Sequence, residues 1–281
     1  MNQVFDFKRW TLLVAKHWSE NKRKYLLGTV ALAGLLFFWF GFVLVIDWGR
    51  PIASFIQVQT YYVGLAITGL FFASTTFAEL SSGPKAMNYL IFPASHLEKL
   101  LCSLLYSLVF FYLVYTAVFY LVDFSMVKIA NSAAAARWTG AGDAPSSEVV
   151  NIFTEFTDES NPDEPNVFLL IMLAYVTIQS AFILGSVYFP KYSFIKTTIS
   201  LLVLAFAIVL FFAKVLDPMM PDGGYYKGLT SYRIFEDGNF QHAKIVQLPE
   251  WIGEVLFFLL KYALAPLLWV VTYFRLKEKE V

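Results

Sequence analysis

The stretch Tyr25 to Ile46, YLLGTVALAGLLFFWFGFVLVI, decides the fold. It contains no charged residue, and a helix needs about 20 such residues to cross roughly 30 Å of hydrocarbon. A backbone in lipid must satisfy its own hydrogen bonds, and the stretch lacks the strict alternation of a membrane β-strand. It therefore reads as a transmembrane helix. Val58 to Ala78, Leu97 to Val122, Val167 to Phe189, Ile195 to Ala213 and Trp251 to Phe274 read in the same way. The expected fold is an all-α integral membrane protein with six transmembrane helices.

Composition agrees with that reading. The 281 residues are 58% hydrophobic, 19% aromatic and only 15% charged, whereas soluble domains carry about 25% charged residues. The formal net charge is zero, which provides no global basic field and argues against a nucleic-acid partner. A single cysteine, Cys102, lies in an apolar run. It excludes an intrachain disulfide framework and reads as a small buried hydrophobe.

Lysine and arginine gather on one side of the six spans: Lys8, Arg9, Lys16, Lys22, Arg23, Lys24, Lys85, Lys99, Lys191, Lys196, Arg275, Lys277 and Lys279. The other side holds Arg50, Lys128, Arg137, Lys214, Lys227, Arg233 and Lys244 over much longer loops. The positive-inside rule then places both termini in the cytoplasm. Span one is too long for a signal-peptide core and lacks a small-residue cleavage site, so it is expected to stay in the mature protein.

The polar segments have distinct characters. In residues 1–24, Phe7, Trp10, Leu13, Val14 and Trp18 recur at spacings of three and four, the pattern of an amphipathic helix in the headgroup plane. Residues 25–281 would then form a single six-helix domain. Between spans two and three, Pro84 can open a short helix and Pro93 close it, with Lys85, Met87, Asn88, Tyr89, Leu90 and Phe92 on it or at its end. Ser95 stands three residues before Glu98, the spacing of a capping box, so span three should begin there. The outer loop 125–166 is acidic, with Asp143, Glu148, Glu155, Asp158, Glu159, Asp163 and Glu164. It is expected to be partly disordered, or ordered only against a partner. The outer loop 214–250 is richer in aromatics around Asp237-Gly238, which suggests a small hairpin.

Chemistry-bearing residues are sparse. The chain has no phosphate-binding glycine loop followed by Lys and Ser or Thr, so nucleotide-derived energy would have to come from another chain. His17, His96 and His242 lie in separate segments, and no zinc-protease or nucleophile-elbow motif is present. His242 beside Glu236 and Asp237 makes only a weak metal candidate, so the expected metal set is none. Polar residues within spans count as functional candidates by default. Gln179 is one, with a hydrogen bond to another helix as its simplest role. Glu254 and Lys261 are seven residues apart on one helix face, a candidate pathway or subunit interface against a snorkelling lysine. Gly69 with Ala73, and Ala181 with Gly185, are small-residue pairs that permit close helix packing. Asp47, Glu79, Asp123 and Lys214 fall at span ends, which disfavours an ion-coupled carrier.

The ordered set of parts resembles the membrane subunits of ABC-2-type (type V) ABC exporters, in the divergent form common in Bacteroidota. The local matches are Phe7-Lys8-Arg9-Trp10, the run Phe92-Pro93-Ala94-Ser95-His96-Leu97-Glu98-Lys99, and the tail Tyr273 to Glu280. The resemblance implies a non-catalytic permease subunit of the bacterial inner membrane that binds no cofactor itself. ATP and Mg would be bound by a separate ABC ATPase subunit, docked on a coupling helix at Pro84 to Phe92. A second permease subunit would complete a dimer. Two other readings stand beside it. One is a membrane-anchored scaffold or sensor holding a periplasmic partner through its acidic outer loops. The other is a lipid-modifying enzyme using Glu79, Lys85 and His96.

Overall fold

A computed structural model describes residues 5–81, 83–140, 142–154, 167–189, 191–216, 224–226, 231–235, 243–247 and 249–279. Six of its helices are long and apolar enough to cross a membrane, as the sequence predicts. They begin with α1 (Phe7–Ile46), capped by the Asp6 carboxylate, which accepts from the Lys8 and Arg9 amides at 2.9 and 3.4 Å. The chain continues through α2 (Ser54–Ser74), a short turn at Ala78–Ser81 and α3 (Gly83–Ile91). Next come α4 (His96–Leu104) and α5 (Phe111–Arg137), joined without a break by a π-turn at Leu105–Phe110. α6 (Val167–Tyr188) and α7 (Ser193–Phe211) follow. A π-turn at Phe212–Leu216 ends α7, and after three short strands α8 (Glu250–Phe258) and α9 (Leu264–Glu278) are joined by a further π-turn, Leu259–Ala263.

Two segments differ from expectation. No break separates residues 7–24 from span one: α1 is a single helix of 40 residues, about 60 Å long at 1.5 Å per residue. Span three likewise does not stop near Val122 but runs to Arg137. The Ala133 to Ala136 run has the highest helix propensity and carries the helix onward without needing lipid. Hydropathy marks where apolar surface ends, not where a helix ends.

Beyond α5 the chain forms a packed strap as far as Thr154, where partial disorder, or order only against a partner, was expected. Val150 and Ile152 are buried among α1, α2 and α5. Gln57, fully buried, grips the strap 146–152 like a neighbouring strand: its Oε1 accepts from the Val150 amide at 3.0 Å and its Nε2 donates to the Glu148 carbonyl at 3.1 Å. Tyr120 Oη accepts from the Ile152 amide, Tyr62 Oη donates to the Ile152 carbonyl, and Asn131 binds Ser147 through both ends of its amide. The remaining acidic residues of that loop, Glu155 to Glu164, lie outside the described residues.

The connection between α7 and α8 holds β1 (Gly224–Tyr226), β2 (Ser231–Phe235) and β3 (Ala243–Gln247) in one antiparallel sheet of order β1-β2-β3. A hairpin is therefore present, and the other regular elements among the described residues are helical. Its register pairs Phe235 with Ala243, which leaves too many residues between the strands for a two-residue turn. Asp237-Gly238, Glu236 and His242 fall in that connection, outside the described residues.

Two cores hold the bundle. One joins α1, α2 and α5 around Phe40, Tyr61, Tyr115 and Phe119, all fully buried. The other joins α4, α6 and α9 with the end of α2, around Phe77, Ile183 and Leu276. Close approach is supplied where small pairs were noted. Gly69 abuts the Tyr175 hydroxyl on α6, and Gly185 abuts Thr197 on α7, so neither position has room for a Cβ without displacing its neighbour. The outer faces stay apolar and exposed, notably Leu202 to Phe211 on α7 and Val255 to Leu260 across α8 and its π-turn. An all-round apolar helix of this kind is at home against lipid.

Candidate functional site

The densest polar construction gathers at the end of the bundle that holds both termini. The Glu98 carboxylate, fully buried, is its centre. Arg9 chelates it: Nε lies 2.8 Å from Oε2 and 3.0 Å from Oε1, and Nη2 lies 2.7 Å from Oε1. The backbone amide of Asp6 donates to Oε1 at 2.8 Å and that of Ser95 to Oε2 at 2.9 Å. Ser95 Oγ accepts from the Glu98 amide at 3.2 Å, completing the capping box that the spacing predicts. One carboxylate thus caps α4 and also fastens α1 to it. A bidentate guanidinium fixes orientation as well as distance.

Around this latch the other elements close a collar. The Lys16 ammonium lies 3.7 Å from the centre of the Phe92 ring. Tyr106 donates to the Val14 carbonyl at 3.0 Å, and its ring contacts those of His17 and Tyr25. From the C-terminal side, Tyr273 meets the His96 ring edge-on, and Arg275 lies over Tyr188 while pairing with Glu278. Lys279 reaches back to the Val187 carbonyl, and desolvation there lowers its ammonium pKa.

The elbow rests on this collar. α3 forms between Pro84 and the Phe92-Pro93-Ala94 bend, close to the expected limits. Tyr89 packs its ring edge on the fully buried Phe77, and Lys99 lies 5.5 Å from the Tyr89 ring centre. Met87 and Ile91 stay exposed, at 66% and 79%. The side chains of Lys85, Asn88 and Leu90 lie outside the described residues. Arg9 and Asp6 are the partners that sequence reasoning missed. The run Phe7 to Trp10 was legible as amphipathic, but no local signal says which distant carboxylate an arginine will find.

The intramembrane candidates separate. Gln179 is fully buried and donates to the Ser107 carbonyl at 2.8 Å. That carbonyl lies within the π-turn Leu105–Phe110, where the widened helix leaves backbone groups open to outside partners. Its neighbour Ser180 accepts from Trp269 Nε1 at 2.7 Å, so α6 links the π-turn to α9. Glu254 and Lys261 form no ion pair. Lys261 lies in the π-turn Leu259–Ala263, which breaks the 3.6-residue phase that would align the two, and its ammonium rests near the Phe257 and Tyr262 rings at 5.7 and 5.2 Å. Asp123, expected at a span end, is buried on α5, and neither carboxylate oxygen has a hydrogen-bond partner.

Of the three residues considered for lipid chemistry, the Lys85 side chain lies outside the described residues. His96 packs on Tyr273, while Glu79 opens on a crevice between α1, α2 and α4. Among the described residues, no group of three His, Cys, Asp or Glu side chains could hold a metal ion. No family model, curated protein or solved structure matches this chain.

Proposed function

We propose that this chain is the membrane subunit of an ABC-2-type exporter in a bacterial inner membrane, energised by a separate ABC ATPase. The observation that carries the reading is the elbow. A short helix bounded by prolines presents Met87 and Ile91 to solvent and is seated on a collar latched by Arg9 and Glu98. A docked ATPase pushing on such a seat would move α1, α4 and α9 together, whereas a slack loop would absorb the motion. The lysine and arginine excess at that end supports a cytoplasmic location for it. The exposed apolar lengths of α7 and α8 leave surface for a second permease subunit.

Affinity capture of detergent-extracted protein from its native membrane tests the reading. An ATPase chain is expected to copurify, and Met87→Asp with Ile91→Asp is expected to release it while the membrane protein stays folded. Capture without any ATPase, or release of none by the double variant, rejects the proposal.

A further inference from the structure

The crevice between α1, α2 and α4 differs from the rest of the near end because its polar groups are left open. Its mouth carries Lys24 and Glu79, both exposed, which make no ion pair with each other or with any described residue. Its floor carries the Ser107 hydroxyl, on a residue only 1% exposed, and the buried Thr76 hydroxyl, neither with a hydrogen-bond partner. Asn21 lines the wall and donates one amide hydrogen to the His17 carbonyl, leaving the second open. Buried hydroxyls without partners are uncommon and imply an occupant, water or ligand. The cavity measures about 50 Å3, room for about four waters or one phosphate group.

Its depth identifies the occupant. Two of the three helices meet here where their apolar runs begin or end, since Tyr25 opens span one and Glu79 follows span two, while Ser103 to Ser107 lie about two to three turns into span three. Tyr25 and Tyr106 stack at 5.7 Å beside the crevice, with Trp18 6.1 Å from Tyr25. Such aromatic girdles mark the headgroup level of a bilayer. A ligand at that level that satisfies an ammonium donor, a carboxylate acceptor and two hydroxyls must carry both charges. We infer that this crevice is a headgroup site for a zwitterionic aminophospholipid, with phosphate between Lys24, Asn21 and the floor hydroxyls, and the primary ammonium against Glu79. A purely anionic headgroup would meet the Glu79 carboxylate, and a trimethylated one could not donate to it. The inference requires the membrane placement but not transport.

Native mass spectrometry of the full chain released from detergent reads this site after equilibration with phosphatidylethanolamine, phosphatidylglycerol or phosphatidylcholine of matched acyl chains. Phosphatidylethanolamine is expected to be retained to the highest collision energy. Lys24→Ala and Glu79→Gln are each expected to lower its occupancy about fivefold, the effect of one charge-assisted hydrogen bond at a partly open site. Glu79→Gln should also raise phosphatidylglycerol occupancy, a reversal that misfolding cannot produce. Ser103→Phe, which fills the crevice, should abolish the preference among the three lipids. The inference is overturned if wild-type protein holds all three alike, or if neither charge variant changes phosphatidylethanolamine retention. It is also overturned if millimolar inorganic phosphate or soluble phosphoethanolamine displaces the lipid, since the occupant would then be a free phosphate compound.

Discussion

Glu98 shows how much one side chain can organise. Its carboxylate accepts from Arg9, from the Asp6 amide and from the Ser95 amide, with no exposure to solvent. Ser95→Ala removes only the cap acceptor and should cost about 1 kcal/mol. Glu98→Ala strands two backbone amides and a guanidinium at once and should cost more, about 2–3 kcal/mol. Thermal unfolding in detergent would check that order, and a Ser95→Ala variant less stable than Glu98→Ala would contradict it. The capping box was legible because both its members lie within one turn of sequence. Arg9 was not, because its partner lies 89 residues away and only packing of α1 against α4 brings them together. Lys261 shows the opposite failure: spacing placed it over Glu254, and a π-turn removed the alignment.

At the scale of elements, the strap beyond α5 is the largest departure from expectation. Its acidic, proline-bearing sequence resembles a disordered segment, yet residues 147–152 are held by hydrogen bonds from Gln57, Tyr62, Tyr120 and Asn131. Gln57 lies one residue before the apolar run of span two, where a glutamine looks like an ordinary boundary residue. Gln57→Leu leaves the Val150 amide and the Glu148 carbonyl without partners. Hydrogen exchange at Val150 should then accelerate, with a loss of about 1–3 kcal/mol in overall stability. Unchanged exchange there would show that the apolar contacts of Val150 and Ile152 fix the strap alone. The elbow behaved as its prolines and cap require, since those signals are local. The lengths of α1 and α5 did not follow hydropathy, because helix propensity persists where apolarity stops.

Over the whole molecule, contacts sort the connections into two ends. Arg9 with Glu98, His96 with Tyr273 and Lys279 with Val187 place both termini, the elbow and the α6–α7 connection together. Gln57 with the strap and Arg137 with Trp48 mark the opposite end. The proposed orientation sets the first end in the cytoplasm. Cys102 is the sole cysteine and is buried, so a Cys102→Ala background gives clean labelling sites. In intact cells with a permeable outer envelope, an impermeant maleimide should label Asp143→Cys and spare Lys277→Cys. The reverse pattern would invert the orientation.

The sequence by itself determined the six membrane-spanning helices, the start of span three and the existence of the elbow. These follow from runs of apolar residues, prolines and caps that act within a turn or two of chain. Only the tertiary structure decided that α1 is latched to Glu98, that the acidic strap is clamped by Gln57, and that Lys24 and Glu79 face one crevice. Those outcomes depend on which surfaces of distant helices pack together. A lipid-facing and a helix-facing apolar residue look alike in sequence, because both are leaving water.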